Sequence, residues 1–178
     1  MKVMKKYVAL LSALVVMCCP AMVAYAHDNP AMNPGDVIMN VALNKEIGFI
    51  LYKASDSNDE VTNLGSLDTK KYTSDSYSGY FYYTNNNNKI SEHTFTAKFS
   101  YSGSVATCYE TSNSIVMIDN DTNLRPKAEN EGRNNLTPTQ VYGYISFVLY
   151  NTDDSVNSEV TIKIYCNQNG ETWVNRQG

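Results

Sequence analysis

The chain reads as an all-β protein, an antiparallel β-sandwich with a closed barrel as the alternative. Apolar residues recur at every second position through most of its length, as in Val37, Met39, Val41 and Leu43 or in Phe95, Ala97, Phe99 and Tyr101. Beyond the N-terminal segment no run of about twelve residues repeats with a helical period. Clusters of Asn, Asp, Ser and Gly instead divide the chain into about eight to ten short segments, the pattern of a sandwich or barrel.

The N-terminus stands apart from this pattern. Lys2, Lys5 and Lys6 precede an apolar run from Tyr7 to Met17, and Ala24-Tyr25-Ala26 places small residues where a leader peptidase cuts. Residues 1–26 are therefore expected to be an export signal, sending the protein to a periplasm, cell surface or extracellular space. The apolar run falls short of the ~20 residues that span a bilayer, so no transmembrane segment is expected. Residues 27–36 carry Pro30, Pro34 and Gly35 and read as a flexible arm, with residues 37–178 as one domain.

Within the domain, Val37 to Leu43 and Ile47 to Leu51 alternate as strands. A weaker strand over Val61–Leu67 is followed by an aromatic one from Tyr77 to Thr84. Asn85 to Asn88 form a hairpin loop. Lys89 to Tyr101 returns with one apolar and one polar face. Ser102-Gly103 turns the chain into Ser104–Thr111, and Ile115–Ile118 adds a short strand. From Asp119 to Gln140 only Leu124, Ala128 and Leu136 could serve a core, which predicts a long surface loop. The clearest pairing sets Val141, Ile145, Phe147 and Leu149 against Val160, Ile162, Ile164 and Cys166 across a hairpin closed by Asn151 to Ser158. Asn169-Gly170 then makes a tight turn into a brief edge at Thr172-Trp173-Val174.

Charge and cysteine content narrow the function classes. The expected leader removes three lysines and no acid, leaving 11 basic against 18 acidic side chains, a net charge of −7. That balance argues against nucleic acid as a partner. The leader also removes Cys18 and Cys19, so Cys108 and Cys166 remain as a pair in an oxidising compartment and are expected to form one structural disulfide. With two histidines, no Gly-x-Ser-x-Gly elbow and no phosphate-cradling glycine loop, the chain lacks the usual residues of hydrolases and nucleotide enzymes.

Three features point towards binding. If the leader is cut after Ala26, the amine and ring of His27, joined by His93, supply three nitrogens of a type that suits Cu(II). This set resembles the histidine brace of secreted copper proteins, and copper is the cofactor it would imply; no other cofactor is expected. Asp119-Asn120-Asp121-Thr122-Asn123 spaces oxygen ligands like the start of a calcium loop, but Leu124 replaces the needed glycine and Asn130 the closing glutamate. Tyr142, Tyr144 and Tyr150 share one face of a strand and Tyr165 the matching face of its partner, a surface suited to sugars or a subunit contact.

The sandwich expected here is immunoglobulin-like or fimbrial-subunit-like. Val37–Leu43, preceded by a flexible arm, reads first as the opening strand of its own domain; in the second reading it resembles the strand that fimbrial subunits lend to a neighbour. The sequence thus reads as a secreted, non-enzymatic binding or assembly module. Its partner is a protein engaged by strand addition or a surface glycan; the copper-brace protein and the carbohydrate-binding module are the alternative readings.

Overall fold

A computed structural model describes residues 37–54, 70–120 and 122–177. The expected leader, the arm and the strand expected over Val61–Leu67 lie outside the described residues. Within the described residues the alternating pattern becomes nine strands: β1 (Val37–Ala42), β2 (Ile47–Lys53), β3 (Lys71–Tyr83), β4 (Lys89–Tyr101), β5 (Ala106–Met117), β6 (Arg125–Thr137), β7 (Gln140–Tyr150), β8 (Val156–Asn167) and β9 (Thr172–Gln177). They build two antiparallel sheets, ordered β1-β2-β3-β4-β5 and β6-β7-β8-β9, so the protein is a β-sandwich rather than a closed barrel. Each sheet is a meander, a simpler order than the Greek-key connections of immunoglobulin domains. Val37–Ala42 pairs with β2 in its own sheet.

The turn residues act where the sequence placed them. Asn87 takes a left-handed conformation (φ 59°) in the β3–β4 hairpin, which Asn tolerates at low cost. At the β8–β9 turn Gly170 has φ 87°, and the Tyr101 ring lies so close that a Cβ there would sit 2.3 Å from a ring carbon. Both its conformation and the close approach require glycine.

Three segments differ from the sequence reading. The expected loop Asp119–Gln140 contains the 13-residue strand β6, paired with β7. An edge strand is held by backbone hydrogen bonds on one side and buries little, so β6 turns only small residues such as Pro126 and Ala128 towards Leu149 and Phe147, and its hydrophobic signal is faint. The two strands expected over Ser104–Thr111 and Ile115–Ile118 are one continuous strand, β5. Its Asn113 and Ser114 face water at the sheet edge and interrupt the apolar pattern without breaking the ladder. Strand β3 begins at Lys71, six residues earlier than its aromatic half suggests, because Thr73 and Asp75 point inward and are buried.

Between the sheets lies a core of Ile47, Phe49, Leu51, Phe81, Phe95, Phe99, Val141, Ile145, Phe147, Leu149, Val160, Ile162 and Ile164. Each such side chain gains roughly 1.5–3 kcal/mol from leaving water. Phe95, fully buried on the interior strand β4, contributes near the upper end. Phe95→Ala is expected to lower stability by about 3–5 kcal/mol. Leu136→Ala, at a side chain 87% exposed, should change it by less than about 0.5 kcal/mol. Urea unfolding of the two variants checks the pair.

Candidate functional site

The outer face of the four-stranded sheet carries a row of aromatic side chains. Along β7, odd-numbered positions from Val141 to Leu149 enter the core, which sends Tyr142, Tyr144 and Tyr150 outward. Register does the rest. Asn134 on β6 stands opposite Tyr142, Tyr142 opposite Tyr165 on β8, and Tyr165 opposite Trp173 on β9, so one row crosses all four strands. Its ring centroids are 4.9 Å apart from Tyr142 to Tyr165, whose planes are tilted by 46°, and 5.5 Å from Tyr165 to Trp173, a stacked pair with planes 7° apart. Tyr144, 6.0 Å from Tyr142, begins the neighbouring row.

Polar groups border these rings. Asn134 donates from Nδ2 to the Tyr142 hydroxyl at 2.9 Å, and the Lys163 ammonium sits 5.0 Å from the centre of the Tyr142 ring. Gly132 forms the floor under Tyr144: a Cβ there would lie 2.6 Å from the phenolic oxygen, so the ring can cover the strand. Burial, and then the neighbouring Tyr142, raise the Tyr165 pKa above its ordinary value, so its hydroxyl keeps its proton and remains a donor at neutral pH. The face therefore offers aromatic area with hydrogen-bonding tips, the combination that favours aromatic residues at binding surfaces.

Of the tyrosines singled out from sequence, Tyr142, Tyr144 and Tyr165 come together. Tyr150 shares their face but stands apart, donating to Glu129 Oε1 at 2.7 Å beneath the Lys127 ammonium. Trp173 was read only as part of an edge strand. Joining it to the row needs the exact β8–β9 register, although the Asn169-Gly170 turn, with Asn169 four residues from both Tyr165 and Trp173, was the available clue.

The two histidines are not brought together in the described residues, because His27 lies outside them. His93 is 1% exposed, its ring centroid 4.5 Å from that of Phe147 and 5.1 Å from that of Phe81. Its Nε2 is hydrogen-bonded to Ser91 Oγ at 2.9 Å, and its Nδ1 has no partner. An ion at this ring would have to shed its water among phenylalanines, a costly transfer. No cluster of three His, Cys, Asp or Glu side chains among the described residues is placed to hold a metal.

A second polar group lies at one end of the core. Asp75, 1% exposed, accepts from the Tyr77 hydroxyl at 2.9 Å and from Thr172 Oγ1 on the opposite sheet at 2.7 Å, with Lys53 Nζ at 3.4 Å. Burial first, and then Asp75, hold the Tyr77 pKa well above its ordinary value. In place of the expected bridge, Cys108 and Cys166 are both thiols in this structure. Their sulfurs are directed at backbone carbonyls, Cys108 Sγ at Glu110 O (3.8 Å) and Cys166 Sγ at Asn167 O (3.3 Å).

The buried imidazole gives stability a pH dependence of definite sign. Burial lowers the His93 pKa from 6.5 to about 3. Below pH 6.5 the unfolded chain takes up a proton that the folded chain refuses until about pH 3. Stability present above pH 6.5 is thus lost as pH falls through that window, at a slope approaching about 1.4 kcal/mol per pH unit. His93→Gln should flatten this slope relative to the parent when urea midpoints are compared between neutral and mildly acidic buffers. Parallel slopes for the two proteins would contradict the assignment.

No protein-family model, no curated protein and no solved structure matches this chain.

Proposed function

We propose that the protein is an exported, non-enzymatic binding module whose ligand is a surface glycan, held by ring stacking on the outer face of the four-stranded sheet. The observation that carries this reading is the row Tyr142–Tyr165–Trp173 with its stacked pair, ring planes 7° apart. A sugar ring presents an apolar C–H face and a rim of hydroxyls. Flat aromatic rings bury the face, while phenol, amide and ammonium groups serve the rim. Four strands spaced ~4.8 Å apart make the row ~14 Å long, enough for several linked sugars to lie across the sheet.

Rows Asn134–Tyr142–Tyr165–Trp173 and Gly132–Tyr144–Lys163–Asn175 contain neither carboxylate nor imidazole. Nothing in them would protonate a leaving oxygen or activate water, which favours holding a glycan over cleaving it. The excess of acidic over basic side chains, 18 against 14 in the whole chain, fits a neutral or cationic polysaccharide better than a strongly anionic one.

A glycan array followed by affinity electrophoresis in the positive polysaccharide tests the proposal. Trp173→Ala and Tyr165→Ala should each weaken binding by about tenfold or more. Tyr150→Ala, whose ring lies on Lys127 and Glu129 outside the row, should leave it within about twofold. Failure of the parent to bind any glycan, or equal losses in all three variants, would overturn the assignment.

A further inference from the structure

Cys108 and Cys166 are left unused by the binding face, yet the fold brings them to the same end of the core from opposite sheets. Cys108 belongs to β5 and Cys166 to β8, and both are fully buried. Three loops interlock beside them. Gly103 N–H donates to Gln168 O at 2.8 Å, Ala106 N–H to Pro138 O at 2.7 Å, and Gln168 N–H to Thr139 O at 3.1 Å. The turn that leads into Cys108 is thereby fixed to the turn that follows Cys166. Asn135 clamps the Cys108 backbone from the other sheet, accepting from its N–H at 2.8 Å and donating to its carbonyl at 3.0 Å.

The space around the sulfurs is also defined. Gly143 on β7 faces Cys108, and a Cβ there would lie 3.4 Å from Cys108 Sγ and 2.8 Å from the Thr111 methyl. Two residues along β7, Val141 is the direct cross-strand partner of Cys166. The absence of a side chain at Gly143 lets β5 approach the part of the opposing sheet that bears Cys166. Inside the closed sandwich both thiols are poor nucleophiles. Burial pushes Cys108 up to about 11, with Arg133 acting weakly the other way; burial, the Cys108 thiol and Asp75 push Cys166 up to about 12. Thiolate, the reactive form, is therefore scarce in the folded state.

We propose that Cys108 and Cys166 form an oxidation site that is open only before the two sheets close, and that the inter-sheet disulfide made there is afterwards sealed in the core. The oxidant is a low-molecular-weight disulfide. One cysteine thiolate of the open chain attacks it, forming a mixed disulfide and expelling one small thiolate. The second cysteine then attacks the protein-side sulfur and expels the other. The protein loses two hydrogens and two electrons, and the oxidant becomes two thiols. In the folded, reduced protein neither sulfur meets the reagent, so the same reaction proceeds only through opening of the sandwich.

The test uses the full chain carrying Cys18→Ala and Cys19→Ala, so that only this pair bears thiols. Reduced, unfolded chain is refolded with oxidised glutathione and peptide-mapped. The expected product has lost two hydrogens and links the peptides containing Cys108 and Cys166. In a second arm the folded, reduced protein meets the same reagent, and its thiols should disappear at least ~10³-fold more slowly than in urea. Folded product carrying two glutathione adducts or two free thiols would overturn the proposal, and so would equal rates in the folded and unfolded arms. Both readouts leave Cys108 and Cys166 unaltered, so neither depends on a substitution in the core.

Discussion

Everything in this molecule depends on keeping one face of each strand dry. Phe49, Phe81, Phe95, Phe99 and Phe147 meet aliphatic side chains between two sheets, and a shift of one residue in any strand would exchange its buried and exposed sets. The register is correspondingly strict, and where it breaks the break has an effect. In β4–β5 the pairing runs without interruption from Ser91–Met117 to Lys98–Glu110 and then skips to Phe99–Cys108. The bulge changes which positions of β5 face inward. Thr111 opposes the inward Ala97 on one side of it and Cys108 opposes Phe99 on the other, while Tyr109 is left 40% exposed. Without that extra residue the Cys108 thiol would point to solvent.

The same constraint makes the buried polar groups informative. Asp75 is bound on several sides by Tyr77, Thr172 and Lys53 and ties β3 to β9 across the core, so the cost of its burial is offset by hydrogen bonds. His93 is only half satisfied. One ring nitrogen reaches Ser91, the other has no partner, and burial keeps the ring neutral. The sandwich tolerates it because aromatic rings surround it on more than one side, but it remains a weak point in acid.

Glycines and aromatic residues complement one another on both sheets. The Tyr144 ring covers Gly132, Tyr82 covers Gly48 and Phe49 fills the space at Gly79, each too close for a Cβ. A bare glycine weakens a strand, and an aromatic ring laid across it restores buried area. On the outer face of the four-stranded sheet this pairing has a second result. It lays Tyr144 beside Tyr142, their planes tilted by 58°, and extends a surface that Tyr165 and Trp173 continue to the sheet edge.

Alternation alone determined much of this protein: the all-β class, the β7–β8 pair with its inward Val, Ile, Phe and Leu, the hairpin at Asn85–Asn88, and the shared face of Tyr142, Tyr144 and Tyr165. These are local properties, because successive side chains on a strand point to opposite sides whatever the strand packs against. The tertiary structure alone decided that the sheets form a sandwich and not a barrel, that polar β6 is a strand, that Trp173 completes the aromatic row and that Tyr150 stands outside the row. Each of these depends on which strand lies alongside and in what register. An edge strand held by its backbone leaves little trace in side-chain hydrophobicity, and cross-strand neighbours are chosen by pairing over long sequence distances rather than by anything encoded nearby.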